Sequence, residues 1–234
     1  MTVDKNPKLI GSMFDRIAPS YDTLNTILSL GIDRLWRAKT IRSLDIHGNH
    51  LVLDIATGTG EMALRALGRD NCRVVGIDFS WNMLARARVK QARQNRDAHF
   101  FLIRGDALVM PFGDMTFDRA VISFGVRNVI DAGMFLSEAW RVLKKGGRMA
   151  VLEFSLPEVN PFKNLYLLYF SKVIPFLGGV ISGDFAAYRY LRDSVIDFIP
   201  PRELERMMGR AGFAVVLSRP ILFGVTHLYV LEKK

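Results

Sequence analysis

The sequence predicts an α/β fold of the Rossmann-like kind, with a mostly parallel seven-stranded sheet and an antiparallel C-terminal strand. Short apolar runs alternate with helical patterns from residue 51 onward, which is typical of βαβ units. A glycine-rich loop joins the first apolar run to the first of these helices. The last two runs are separated by about five residues, which suits a hairpin because a parallel crossover needs a dozen residues or more.

The predicted elements follow one another in a regular order. Strands of the parallel part are predicted at residues 51–56, 73–78, 99–103, 117–123 and 148–154. Helices are predicted between them at residues 61–67, 80–94 and 132–143, with the glycines of residues 144–147 capping the last one. The tail is predicted as a helix over residues 201–211 and hairpin strands at 213–219 and 225–231. A parallel sheet that ends in this way resembles the class I methyltransferase fold.

Two segments fall outside this sheet pattern. Residues 1–50 contain helical patterns at 24–29 and 33–43 and are predicted to form a helical N-terminal cover. Residues 156–200 form an apolar insert that precedes the C-terminal helix and hairpin of residues 201–234. Both segments are expected to lie over the C-terminal edge of the sheet, where open α/β sheets bind ligands. The 234 residues are therefore predicted as a single domain around a cofactor-binding core at 51–155.

Composition and charge limit the classes of protein and partner. The net charge of +9 suits an anionic partner, either nucleic acid or a membrane surface. The single cysteine, Cys72, excludes an intrachain disulfide and a CxxC site. The spacing of histidine, aspartate and glutamate indicates no metal site. The N-terminus has no apolar run of the kind found in secretory signals, so a cytoplasmic protein is expected.

The apolar insert contains the longest apolar run, at residues 161–182. The run carries Lys163 and Lys172 and is expected to be broken by Pro175 and the Gly178-Gly179 pair. A spanning helix needs ~20 unbroken apolar residues, so we expect no transmembrane helix. The run is expected either to pack on the sheet, to line a lipid tunnel or to form a homodimer surface.

The glycine-rich loop is the first candidate ligand site. Gly58, Gly60 and Ala63 satisfy the dinucleotide fingerprint, which is a weak signal alone. Asp54 ends the strand directly beneath this loop. A carboxylate there would repel a pyrophosphate and would suit a ligand with a cationic end, such as S-adenosyl-L-methionine.

Two further acidic residues end the next two strands. Asp78 offers two acceptor oxygens, which suit the hydroxyls of a ribose in either S-adenosyl-L-methionine or NAD. Asp106 and Ala107 follow the third strand, where the edge of an adenine ring would lie. Acidic residues at the ends of three successive strands favour a nucleotide-like ligand over isolated helix caps.

Four stretches of the chain resemble the ubiquinone/menaquinone biosynthesis C-methyltransferases. They are residues 21–29 with Trp36, residues 54–60, residues 122–129 and residues 141–155. The resemblance implies a class I methyltransferase in which S-adenosyl-L-methionine contacts Thr59, Asp78, Asp106, Ala107 and Ser123. One departure is Asp33, which stands where the family usually has histidine, and we expect it on a helix surface.

The resemblance implies methylation of a ring carbon in a polyprenyl quinol, with demethylmenaquinol as the favoured acceptor. Ionising a ring hydroxyl makes the adjacent carbon nucleophilic, but free phenols ionise near pH 10, so the site must favour the phenolate. Arg127 can stabilise that charge and Asn128 can hydrogen-bond a quinol oxygen, since both follow the fourth strand. Tyr21 in the cover is the third candidate catalytic residue.

Several alternatives stay open at the level of sequence. The same chemistry on the methoxybenzoquinol of the ubiquinone pathway is the nearest alternative. A methyltransferase for another small molecule or RNA would keep the fold, although the apolar insert suits a lipid better than nucleic acid. A non-catalytic cofactor-binding partner and a dehydrogenase are further alternatives, and Asp54 counts against both. A membrane-dissolved substrate would also require transient contact with a membrane surface.

Overall fold

A computed structural model describes residues 4–69, 72–157 and 160–234. These residues form one seven-stranded sheet. In chain order its strands are β1 (Leu51–Ile55), β2 (Arg73–Asp78), β3 (Phe100–Arg104), β4 (Phe117–Ser123), β5 (Leu143–Phe154), β6 (Phe213–Ile221) and β7 (Thr226–Lys233). Their spatial order is β3-β2-β1-β4-β5-β7-β6, and only β7 runs antiparallel to its neighbours β5 and β6. The predicted fold class is confirmed.

Helices cover both faces of this sheet. The core helices are α4 (Glu61–Leu67), α5 (Trp81–Arg93), α6 (Ala132–Val142) and α10 (Pro201–Arg210). The N-terminal cover consists of α1 (Pro7–Ile17), α2 (Tyr21–Leu28) and α3 (Asp33–Ser43). The apolar insert forms α7 (Phe162–Leu168), α8 (Ile174–Ser182) and α9 (Phe185–Ile196).

The junction between α6 and β5 differs from the prediction. The glycine cap predicted there is wrong, because α6 ends at Val142 and Leu143 already has extended backbone geometry. Leu143 is buried and pairs with Phe117 of β4, so the chain passes directly from helix to strand. Gly146, with φ of +71°, instead serves an irregular turn where the β4–β5 register shifts.

The apolar insert is more continuous than its sequence suggests. The predicted break at Pro175 and Gly178 is wrong, because helical geometry runs from α7 through a π-helical segment at Tyr169–Val173 into α8. A wider turn before a proline relieves the clash between its ring and the preceding carbonyl groups. By length and composition alone, Phe162–Ser182 could cross a membrane, and a third of its most apolar window is buried in the protein.

A second core cluster joins the N-terminal cover to the insert. Its buried members include Leu24 and Trp36 of the cover and Phe170 and Tyr188 of the insert. Phe124, just after β4, belongs to the same cluster and connects it to the sheet. The two segments predicted to cover the C-terminal edge of the sheet therefore do so by packing on each other.

Candidate functional site

The C-terminal ends of β1, β2 and β4 enclose a cofactor cleft, made of two adjoining cavities of about 130 and 20 Å³. Both cavities are lined by Tyr21, Ala56, Gly58 and Ser123. The larger cavity is also lined by Asp78, Asp106 and Ala107, and the smaller one is also lined by Asp54 and Thr59. Seven of the predicted cofactor-binding residues thus lie together at one cleft. That each contacts a cofactor stays a prediction.

Asp54 is a buried carboxylate at the floor of the smaller cavity. Its Oδ2 accepts hydrogen bonds from the Thr57 hydroxyl at 2.6 Å and from the Ala63 backbone N–H at 2.9 Å. Burial raises the pKa of Asp54 to about 7, although these hydrogen bonds and the charge of Arg37 act in the opposite direction. A desolvated carboxylate gains most from a nearby cation, so this end of the cleft suits a positively charged ligand group.

Asp78 holds the loop at the other end of the cleft. Its two oxygens accept from the backbone N–H groups of Gly58 at 2.7 Å and Ser80 at 2.8 Å. Desolvation raises the pKa of Asp78 to about 6. Gly58 has φ of +56°, and a Cβ placed there would meet nothing within 4 Å. The loop therefore presents bare backbone to the cleft, where a ligand can approach closely.

Gly60 is the predicted cofactor residue that does not line the cleft. It begins α4 with φ of +82°, in the left-handed region that favours glycine. A Cβ there would lie 3.1 Å from the Phe100 ring and 3.3 Å from the Ala87 side chain. Gly60 thus shapes the turn and lets α4 pack closely, and any contact with a cofactor stays a prediction.

A larger cavity of about 430 Å³, which we call the acceptor cavity, lies between the cover, the insert and the segment after β4. Most of its walls are apolar or aromatic, including Trp36, Phe154, Phe162 and Phe170. Tyr21 lines this cavity and both parts of the cofactor cleft, so the two sites meet at its side chain.

Arg127 and Asn128 follow β4 and face different cavities. Arg127 lines the acceptor cavity, where its Nη1 donates to the Glu153 carboxylate at 2.9 Å. Both members of this ion pair are buried, so Arg127 is not a surface residue. Asn128 lines the cofactor cleft, and its Oδ1 accepts a hydrogen bond from the Tyr190 hydroxyl at 3.0 Å.

Asp33 is not on a helix surface, and that prediction is wrong. It is buried at the start of α3 and lines the acceptor cavity, because its side chain turns inward to Ser29 and Arg37. Its carboxylate accepts from the Ser29 hydroxyl at 2.9 Å and lies 3.4 Å from Nε of Arg37. Arg37 in turn reaches the Ser123 hydroxyl at 3.5 Å. This chain of contacts connects the acceptor cavity to the cofactor cleft.

Comparison with known proteins places this geometry in a family. The model of the ubiE/COQ5 methyltransferase family matches residues 1–233. The chain belongs to this family. It is 45% identical over 222 residues to the demethylmenaquinone methyltransferase of Thermus thermophilus, covering 94% of this chain and 100% of that protein. It is 41% identical over 226 residues to the ubiquinone/menaquinone biosynthesis C-methyltransferase UbiE of Geotalea daltonii, covering 96% of both.

Solved structures agree on the fold of this ubiE/COQ5-family methyltransferase. A SAM-dependent methyltransferase from Thermotoga maritima superimposes with a TM-score of 0.67 at 22% identity. The match covers 96% of this chain and 99% of that one. The chain is therefore a methyltransferase with the class I fold of S-adenosyl-L-methionine-dependent enzymes.

Sequence patterns do not single out three polar residues of this methyltransferase: Arg37, Glu153 and Tyr166. The sequence does contain a signal for Glu153. Arg127 and Glu153 are charged residues in apolar surroundings, one just after the fourth predicted strand and the other in the fifth. Buried charges occur in pairs, so each predicts the other. Arg37 and Tyr166 carry no such signal, because each lies in a helix whose inner face becomes known only once the cover and insert are packed together.

Proposed function

We propose that this protein transfers a methyl group from S-adenosyl-L-methionine to a ring carbon of a polyprenyl quinol, converting demethylmenaquinol to menaquinol. The observation that carries the proposal is the 430 Å³ apolar cavity, which adjoins the cofactor cleft and contains a buried arginine. A cavity of this kind suits an apolar ring with few polar atoms, because apolar walls bind the ring and fixed polar groups orient it.

The names of the relatives support this choice of acceptor. The proteins from Thermus thermophilus and Deinococcus radiodurans are named demethylmenaquinone methyltransferases. Others, including the one from Geotalea daltonii, are named for both ubiquinone and menaquinone biosynthesis, so the methoxybenzoquinol acceptor is the second candidate. The net charge of +9 is compatible with RNA as an acceptor, but it suits an anionic membrane surface equally well.

The cofactor cleft fits S-adenosyl-L-methionine. The desolvated Asp54 carboxylate suits the ammonium group, and Asp78 retains lone pairs for ribose hydroxyls beyond the backbone hydrogen bonds it accepts. Asp106 and Ala107 would face the adenine, and Thr59 and Ser123 would complete the cleft. When bound, the cofactor supplies a methyl group on a sulfonium, whose sulfur keeps the electron pair of the broken bond.

The residues of the acceptor cavity prepare the ring for attack. The ring carbon must supply the electron pair of the new carbon–carbon bond, and it does so best when the neighbouring oxygen is ionised. The Arg127 guanidinium stays charged at ordinary pH and stabilises that phenolate in a desolvated site. Tyr21 stands where the two sites meet. The ring proton displaced by the methyl group leaves to water.

Methyl transfer from radiolabelled S-adenosyl-L-methionine tests the proposal. We expect labelled product with chemically reduced short-chain demethylmenaquinol, less with the matching methoxybenzoquinol, and none when the same naphthoquinone is kept oxidised. The ratio of the two products assigns the acceptor. Absence of product from both reduced acceptors, in protein shown by calorimetry to bind the cofactor, would refute the quinol assignment and leave the family and fold intact.

We also propose that the mouth of the acceptor cavity contacts a membrane surface. Leu30 and Leu165 line the cavity and are 83% and 65% exposed. Phe223, 73% exposed, lies with its ring centre 5.0 Å from that of Phe162 in the cavity wall. Lys172 on the same insert adds a positive charge that an anionic headgroup attracts.

Flotation with vesicles of phosphatidylglycerol tests the membrane contact. We expect the protein to float with these vesicles, and Phe223→Glu to reduce the bound fraction several-fold. Val216→Glu is the matched control, because Val216 is an exposed apolar residue on β6 that does not line the cavity. Equal loss of binding in both variants would refute the assignment of this surface.

A further inference from the structure

Two buried polar atoms of residues that line the acceptor cavity have no hydrogen-bond partner within the described part of the chain. They are the Tyr166 hydroxyl and Nε of Arg127, and both are buried. Both residues line the acceptor cavity. A buried donor without a partner is costly, and buried polar groups are nearly always satisfied. Two such donors in one cavity indicate that a ligand atom satisfies them.

Two neighbouring tyrosines of the cavity, Tyr169 and Tyr190, do not share this feature. Tyr169, three residues further along the chain, donates its hydroxyl hydrogen to the Leu28 carbonyl at 3.0 Å. Tyr190 donates to Asn128, as described above. All three tyrosines line the same cavity, yet among them only Tyr166 has a hydroxyl without a hydrogen-bond partner in the described residues.

The other contacts of Arg127 hold its guanidinium in place. Its Nη1 is taken by the Glu153 carboxylate and the Phe124 carbonyl. Its guanidinium carbon lies 5.2 Å from the centre of the Phe154 ring, so the side chain is fixed on that side too. A guanidinium cannot accept a hydrogen bond, so the partner of Nε must be an acceptor atom.

The protonation of Tyr166 makes it a donor as well. Burial raises its pKa well above the usual range, and the positive charge of Arg127 offsets only part of this effect. The hydroxyl therefore keeps its proton at any ordinary pH. The ring of Tyr166 stacks on Phe170 at 5.2 Å, and the ring of Phe170 lies 6.1 Å from that of Phe154, over which the Arg127 guanidinium sits, so the two side chains belong to the same part of the cavity wall.

We propose that Tyr166 is a further catalytic residue, whose hydroxyl and the Arg127 Nε–H together donate hydrogen bonds to the ionising ring oxygen of the acceptor. The proposal rests on the function proposed above and assigns to that site its phenolate-binding group. Donors fixed in a water-poor cavity stabilise a developing oxygen anion more than the neutral hydroxyl, so they favour the reactive form.

The proton and electron pairs balance without any further reactant. The hydroxyl proton of the acceptor passes to water, and both electrons of its O–H bond stay on the oxygen. That charge moves into the ring as the adjacent carbon supplies the pair for the bond to the methyl group, whose bond to the sulfonium breaks with its electron pair going to sulfur. The ring carbon then loses its hydrogen as a proton to water, and the C–H pair restores the aromatic phenolate, which takes up a proton to give the product hydroxyl. Tyr166 and Arg127 keep their own protons throughout and act as donors, not as bases.

Tyr166→Phe tests this role, with Tyr229→Phe as the matched control, because Tyr229 is a buried tyrosine of β7 that does not line the acceptor cavity. We expect Tyr166→Phe to lower kcat about 100-fold, the usual effect of removing one oxyanion donor, with unchanged affinity for S-adenosyl-L-methionine. The rise of kcat with pH should also move to higher pH, because the phenolate forms less readily. Tyr229→Phe should keep both kcat and its pH profile. A kcat and pH profile in Tyr166→Phe equal to those of the wild type would overturn the proposal.

A binding measurement separates this proposal from the proposed function. We expect the absorbance of 4-nitrophenol to show a lower pKa in the wild-type cavity than in Tyr166→Phe, with Tyr229→Phe like the wild type. If quinols are not methylated but this difference is present, the proposed function fails and the phenolate site stands. If quinols are methylated and the bound phenol ionises alike in all three proteins, the role of Tyr166 is refuted.

Discussion

The Thr59 hydroxyl donates a hydrogen bond of 2.6 Å to Oδ1 of Asp22, which ties the cofactor loop directly to the N-terminal cover. Nζ of Lys90 lies 2.7 Å from the other Asp22 oxygen and 2.6 Å from Glu61, so the contact is part of an ion-pair network. Asp22 follows Tyr21, the residue that lines all three cavities. This network therefore fixes the position at which the cover closes the cofactor cleft.

Asp22→Ala should make the bound cofactor leave faster. The substitution removes the acceptor of Thr59 and one partner of Lys90, so the cover is held less firmly over the cleft. We expect the dissociation rate of S-adenosyl-L-methionine, measured by stopped-flow fluorescence, to rise by about tenfold, which corresponds to about 1.4 kcal/mol. Asp114→Ala is the control, because Asp114 is an exposed carboxylate paired with Arg141 away from the cleft. Equal rates in the wild type and Asp22→Ala would show that the cover does not retain the cofactor.

Cofactor affinity should increase with pH through the titration of Asp54. The pKa of Asp54 is raised to about 7, so much of this carboxyl is protonated and neutral below that pH in the free protein. A cationic group binds the ionised form better, so binding should strengthen between about pH 6 and about pH 8 and release a proton. Calorimetry in buffers of different ionisation enthalpy measures that proton. Asp54→Asn should bind more weakly and lose this part of the pH dependence, whereas an unchanged profile would refute the role of Asp54.

The raised pKa of Asp54 has the opposite effect on the stability of the free protein, which falls as the pH rises. A carboxyl whose pKa is about 7 when folded and 3.8 when unfolded is more easily protonated in the native state. The contribution of Asp54 to the free energy of unfolding is therefore fully present below about pH 3.8 and is lost as the pH rises through about 7. We expect Asp54→Asn to remove this loss, so that its melting temperature exceeds that of the wild type most clearly above pH 7.

The sheet was predictable from sequence because its signals are local. β2 and β4 have the predicted bounds, and α4 does as well, since an apolar run or an amphipathic turn between glycines is visible in a short window. The aspartates of the cofactor cleft follow from the same logic. Parallel strands end at the same edge of the sheet, so residues at the ends of strands must lie close together.

The acceptor cavity was not predictable in the same way. Its polar groups come from α3, from the segment after β4 and from α7, which are distant in sequence and meet only through tertiary packing. Asp33 has the sequence context of an exposed helix start, and nothing local shows that it lines a cavity between the cover and the insert. Tyr166 lies in an apolar run where a tyrosine is expected to pack, and its hydroxyl becomes informative only once its partners can be counted.

Arg127→Ala should lower both stability and turnover, because it leaves Glu153 buried without its partner. Removing one member of a buried ion pair costs about 3–5 kcal/mol. Adding Glu153→Gln should recover part of this stability, since the amide is neutral and its single oxygen can still accept from one of the two backbone N–H groups, those of Arg127 and Phe154, that bond to different Glu153 oxygens. Turnover should not recover, because the guanidinium is still missing. Urea unfolding and methyl transfer on the same preparations separate the two effects, and recovery of both together would make Arg127 purely structural.

Gly178→Ala should destabilise the insert and enlarge the KM for the quinol. A Cβ on Gly178 in α8 would overlap the ring of Tyr188 in α9, and that ring lines the acceptor cavity. Overpacking of this kind costs about 1–3 kcal/mol, and a displaced Tyr188 would narrow the space for the ring. Gly209→Ala is the matched control, because Gly209 lies in α10 where a Cβ would meet nothing within 4 Å. It should raise stability by up to about 1 kcal/mol, as alanine favours a helix interior. Equal changes in melting temperature in the two variants would contradict the close packing of α8 on α9, since helix propensity alone would then explain both.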